Sequence, residues 1–157
     1  MKAKKDTAKL YREAAVRGAS PVGLVIILYE EALRALRRAE AAMGRGEVEE
    51  RSLAISHALQ VIGYLQSVLD FERGGRVALQ LSSFYDYSKR RMLEANVENS
   101  AEILGRLIKD LTDSAEAWRE VERALAGPSQ ATEPAPGVRA ARRPQDQPEE
   151  AIRRWCA

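Results

Sequence analysis

The sequence predicts an all-α protein, an antiparallel up-and-down four-helix bundle, and three observations carry that expectation. The composition is 45% apolar and 31% charged with only 6% aromatic residues, the profile of packed amphipathic helices rather than of sheet. Apolar residues recur at three- and four-residue spacing through four successive stretches. The breaks between the stretches are so short that consecutive helices must be antiparallel neighbours. At 157 residues the chain holds one core and not two ordinary domains.

The first helix opens at Ser20-Pro21. The Ser20 hydroxyl accepts from a free backbone N–H of the first turn, and Pro21 takes the position where its missing N–H costs nothing. This helix spans about 21–43 and ends at Gly44-Arg45-Gly46, residues suited to the left-handed turn that closes a helix. The second covers about 47–72 on the stripe Ala54, Ala58, Val61, Ile62, Leu65, Val68 and Leu69, and Gly74-Gly75 is its stop. The third covers about 76–96, with Val77, Leu81, Phe84, Met92 and Ala95 on one stripe and Asn96 closing it. Asn99, three residues before Glu102, reads as the cap of a fourth helix reaching about 126, with Leu104, Leu111, Trp118 and Leu125 at seven-residue spacing. An intermolecular coiled coil is the weaker rival for this helix, because its other seam is Ile108, Ala115 and Glu122.

The chain divides into an N-terminal helical cap segment (1–19), the bundle (20–127) and a Pro-rich disordered tail (128–157). The cap has a small apolar face of Leu10, Tyr11, Ala14 and Ala15. The tail carries Pro128, Pro134, Pro136, Pro144 and Pro148 among small and charged residues and cannot build a core. Within it, residues 148–155 place acids first and bases last, as a short helix prefers, with Ile152 and Trp155 on one face.

Several functions are excluded at this level. A net charge of +2 creates no field to gather nucleic acid, and Lys89-Arg90-Arg91 reads as a solvated helix face. No apolar run approaches the ~20 residues that cross a bilayer, and no signal-peptide core follows Met1, so the expectation is a cytoplasmic protein without stable membrane insertion. The lone Cys156 leaves no internal disulfide. His57, the one histidine, has no companion ligand or nucleophile, and Gly74-Gly75 lacks the spacing of a phosphate loop. The expectation is no cofactor, no metal and no catalytic residue: a binding protein, not an enzyme.

What it binds is suggested by a surplus of apolar surface. Residues 22–29 are apolar on every side, and one bundle face cannot bury them all. Each Leu or Ile left in water forgoes roughly 1.5–3 kcal/mol, so something else must cover the outer side. The cap segment is the nearest candidate. In the second helix, Ile55, Leu59, Ile62 and Leu69 form a second stripe, either a groove for a partner helix or a wide stripe packed between two neighbouring helices.

Two sequence blocks sharpen the reading. Tyr11, Val16, Ala19-Ser20-Pro21, Leu24, Leu28-Tyr29 and Ala32-Leu33 form one; Leu69-Asp70, Gly74-Gly75, Ala78, Leu81, Tyr85, Tyr87, Arg90-Arg91, Leu93 and Glu94-Ala95-Asn96 form the other. Together, over about residues 11–118, the chain resembles the flagellar secretion chaperone family FliS. It departs from the family pattern at Gly18, Val22-Gly23 and Glu31, and Val22-Gly23 stand where acidic residues are common, which suggests a less firmly started first helix. The resemblance implies a cytoplasmic chaperone that holds the disordered C-terminal segment of flagellin before export, hands it to components of the export gate, and is a monomer or weak dimer. The alternative is a self-associating structural or regulatory bundle without an unfolded client. The candidate partner-binding residues are Leu10 and Tyr11 of the cap with Leu24, Ile27, Ile55, Leu59, Ile62, Leu69, Leu81 and Tyr85.

Overall fold

The computed structural model describes residues 7–10, 12–14 and 17–127. They form four long helices, α1 (Pro21–Arg45), α2 (Val48–Ser67), α3 (Phe71–Glu98) and α4 (Ala101–Leu125), preceded by helical residues at 7–10 and 12–14. No strand occurs among the described residues. Tyr11, Cys156 and the turns anticipated at 148–155 lie outside them.

Each helix packs against its chain neighbours, and α1 also packs against α4, closing a ring. Side-chain contacts fix the antiparallel sense: Arg119 of α4 meets Glu30 of α1 at 2.9 Å, Gln66 of α2 donates to Ser82 and Asp86 of α3, and Tyr87 of α3 donates to Asp110 of α4.

The start of α1 follows its sequence signal, with the Ser20 hydroxyl accepting from the Gly23 N–H at 3.0 Å. The first turn holds no acidic residue, yet the N-terminus is not left uncompensated. Glu122 of α4 reaches to 3.4 Å from the Ser20 hydroxyl, and its Oε1 stands 3.0 Å from where a Cβ on Gly23 would be. A neighbouring helix supplies the negative charge that the helix dipole favours, and Gly23 leaves the space that carboxylate needs. At the other end Gly46, at φ 68°, closes the helix and the Glu47 N–H bonds back to the Ala42 carbonyl.

Two helix boundaries differ from the sequence reading. α2 stops at Ser67 rather than near residue 72, and Asp70 opens α3 by accepting from the Arg73 N–H at 3.0 Å. Gly74-Gly75 is therefore no stop; Gly75, at φ 50° and ψ −124°, kinks α3 one turn after its start. The second difference lies between α3 and α4. Asn99, not Asn96, closes α3 at φ 50°, and Ser100 caps α4 by accepting from the Ile103 N–H. Asn96 instead accepts from Arg51 of α2.

The core is built from Leu28, Leu36, Val61, Ile62, Leu65, Leu104, Leu107 and Leu111, with Ala32, Ala35, Ala39 and Ala58 wholly buried among them. One polar chain crosses it: the Ser114 hydroxyl donates to Tyr29 at 3.1 Å, and Tyr29 donates to Tyr85 at 3.2 Å. Burial raises the Tyr29 phenol above its ordinary value against the lowering effect of its hydrogen bonds to Ser114, Tyr85 and Trp118, so the group stays neutral.

Candidate functional site

The N-terminal segment is amphipathic on a short scale. Thr7 and Ala14 are each 2% exposed, whereas Lys9, Arg12 and Glu13 face water. Leu10, half-buried, lines a cavity of about 240 Å³ with Thr7, Lys9, Glu13, Glu31 of α1 and His57 of α2. The segment thus lies over the seam between α1 and α2. It joins α1 through a turn in which Gly18 takes φ 82° and the Ala19 N–H bonds to the Ala14 carbonyl. Among the described residues its one ion pair, Lys9 to Glu13 at 3.7 Å, is internal to the segment.

Beneath it sits a polar cluster. His57 Nε2 donates to Glu31 Oε1 at 2.7 Å, and Arg34 holds Glu31 Oε2 at 2.6 Å. Burial pushes the Glu31 carboxyl up, but the hydrogen bonds from Arg34 and His57 and their charges outweigh it and hold the group below the usual carboxylate range. One turn along α2 from His57, the buried Gln60 Oε1 has no hydrogen-bond partner among the described residues. An acceptor stranded this way is a cost of about 1–3 kcal/mol, removable by a donor that reaches it.

The residues singled out from sequence fall in three places. Leu24 is buried and Ile27 half-buried on the face of α1 that carries Glu31, on the same side as Leu10. On α2, Ile55 and Ile62 are core residues with no surface to offer, Leu69 beyond its end is buried, and Leu59 is half-buried against the core. Along that stripe Ile55, Ile62 and Leu69 pack into the core and Leu59 keeps part of its surface exposed. Leu81 is half-buried in a third place, a cleft of about 310 Å³ between α3 and α4, lined by Val77, Gln80, Leu81, Phe84, Asp110 and Ser114. Tyr85 lies wholly buried within the core, hydrogen-bonded to Tyr29. Tyr11 lies outside the described residues.

Sequence reasoning missed Phe84 and Val77 as cleft residues. The signal was available: both belong to the α3 stripe, and that stripe carries apolar bulk beyond what α2 and α4 cover. It also missed the pairing of His57 with Glu31, which no spacing announces because the two stand on different helices.

Comparison with known proteins agrees with the sequence blocks. The family described as "Flagellar protein FliS" matches residues 3–125. The flagellar secretion chaperone FliS of Salmonella typhimurium is 38% identical over 118 residues, 74% of this chain and 87% of that protein. The flagellar secretion chaperone FliSB of Pseudomonas aeruginosa is 35% identical over 118 residues, 75% of this chain and 94% of that protein. The FliS of Campylobacter jejuni is 34% identical over 102 residues, 65% of this chain and 80% of its own length.

Proposed function

The chain belongs to the flagellar protein FliS family, whose relatives above are secretion chaperones, and from that premise we propose that it binds the disordered C-terminal segment of flagellin and keeps it unpolymerised before export. The observation that carries the proposal is the N-terminal segment. It buries one face on the α1–α2 seam, exposes the other, and is joined by a Gly-containing turn without an ion pair to the bundle among the described residues. A cover so held docks weakly against the entropy of ordering it.

In this reading residues 1–19 are the cover and 20–127 the client-binding bundle. The client engages two apolar stations on opposite sides of the ring: the face beneath residues 7–14, with Leu24 and Ile27, and the α3–α4 cleft, with Val77, Leu81 and Phe84. Both take an apolar helix face, and a segment unstructured until it arrives can reach both.

Calorimetry with purified flagellin, intact and lacking its C-terminal segment, tests this. The intact protein should bind with a negative heat-capacity change, as coupled folding that buries about 1,000–3,000 Å² requires, and the shortened one should not bind. Equal binding of the two, or none by either, contradicts the proposal.

A further inference from the structure

The family match ends at residue 125, and the chain beyond it carries a pattern of its own. Residues 128–147 mix prolines with small and charged residues, and Pro148-Glu149-Glu150-Ala151-Ile152-Arg153-Arg154-Trp155 follows. At helical spacing Ile152 and Trp155 share one face, with two acids before them and two arginines between them. Trp and Arg are the residues that most often anchor an interface, and the composition around them offers no core of its own.

The bundle holds a matching recess. The α3–α4 cleft, about 310 Å³, is apolar at Val77, Leu81 and Phe84 and carries Asp110 on its α4 wall. Tyr87 donates to Asp110 Oδ2 at 3.3 Å, which leaves Oδ1 for a partner. From that level the cleft runs toward the end of the bundle where α3 begins and α4 finishes, and there Arg76 stands exposed beside Val77. The charge order along the cleft is therefore base at the outer end and acid further in. Residues 148–155 carry the opposite order, acids first and bases last, and they arrive from the outer end. α4 stops at Leu125, about 16 Å along the axis from Ser114. Residues 128–147, as a flexible tether, span about 25 Å on average, so the cleft is within reach and the tether holds the segment there at roughly millimolar local concentration.

We infer that residues 148–155 dock in the α3–α4 cleft of their own chain, with Ile152 and Trp155 against Val77, Leu81 and Phe84. Glu149 and Glu150 lie toward Arg76, and Arg153 and Arg154 toward Asp110. Two apolar anchors make a weak contact, and the tether sustains it. The cleft is also one of the two client stations proposed above, and on that reading the segment covers Phe84 until the client displaces it.

Cys156 is the one cysteine of the chain, so a nitroxide attached to it reports where the segment lies through the loss of nearby amide NMR signals in the isotope-labelled full-length protein. Signal should be lost at residues 77–84 and 110–114 and kept along the α1–α2 seam. The loss should be unchanged on dilution, and absent when nitroxide-bearing chains without isotope are mixed with isotope-labelled chains without nitroxide. Ile152→Ser with Trp155→Ser should restore the signals, and Arg153→Asp with Arg154→Asp should restore them in part. No selective loss at the cleft, loss only between mixed chains, or loss that survives the Ser substitutions would each overturn the docking, and indifference to the Asp substitutions would overturn the charge pairing. These samples contain no flagellin, so their failure is separate from failure of the client reading. Added flagellin should restore the signals, and loss that persists with flagellin bound would overturn the displacement.

Discussion

α1 and α3 are used differently. α1 buries about half of its 25 residues, including every position from Val22 to Ile26. α3 buries six of its 28, keeps Val77, Leu81 and Phe84 half-covered, and leaves Leu79, Leu93 and Val97 in water. Both hold apolar residues well beyond one stripe. On α1 the surplus is covered from outside, by α4 and by the N-terminal segment; on α3 it is left open. The difference teaches that apolar excess in a bundle helix is a sign of binding only where the fold itself does not consume it.

The largest expected effect breaks the comparison by adding a charge to each side. Ile62→Glu buries an unpaired carboxylate in the core and should cost the fold about 3–5 kcal/mol, whereas Phe84→Glu in the half-open cleft should leave the thermal midpoint close to wild type and weaken client binding. Chemical denaturation of both variants checks this, and equal destabilisation would place Phe84 in the core.

The next concerns how α3 leaves the line of its first turn. Gly75 holds φ 50° and ψ −124°, a backbone state that side chains avoid, although a Cβ there would meet no neighbour. Gly75→Ala should therefore cost about 1–3 kcal/mol through strain alone. A neutral result would mean that the first turn of α3 realigns without loss.

The smallest effect is one of pH. Because Glu31 is held below its ordinary range by Arg34 and His57 against the cost of its burial, the stabilisation it brings is present above the unfolded carboxylate value of about 4.3 and is lost as pH falls through its lower folded value. Glu31→Gln should be less stable than wild type near neutrality, and the two should converge as pH falls below 4. A gap that persists in acid would assign the loss to packing rather than charge.

Much of this architecture was legible. Ser20-Pro21, Gly46 and Gly127 punctuate the chain with residues whose backbone preferences leave little choice, and the heptad Leu104, Leu111, Trp118 is buried as its spacing implies. The α2–α3 boundary was not, because Val68 and Leu69 continue an apolar period past the true end at Ser67, while the cap Asp70 competes with the louder Gly74-Gly75. The candidate site was legible only in outline. Ile55, Leu59 and Ile62 share one stripe in sequence, and only packing between neighbours separates the half-buried Leu59 from the two core residues. Glu122 at the start of α1 and Glu31 beside His57 were invisible for a related reason: each acts across helices, through distances that periodicity does not encode.

The competition between the N-terminal segment and the client is the claim on which the functional account turns. Its most direct test is a calorimetric titration of the flagellin C-terminal segment into the full chain and into a chain lacking residues 1–16. Removing a cover that occupies client surface removes its docking free energy from the apparent affinity, so the shortened chain should bind as tightly as the full one or more tightly, while dye binding reports newly exposed apolar surface. Loss of affinity in a shortened chain that remains folded would contradict the account and place Leu10 within the client site itself.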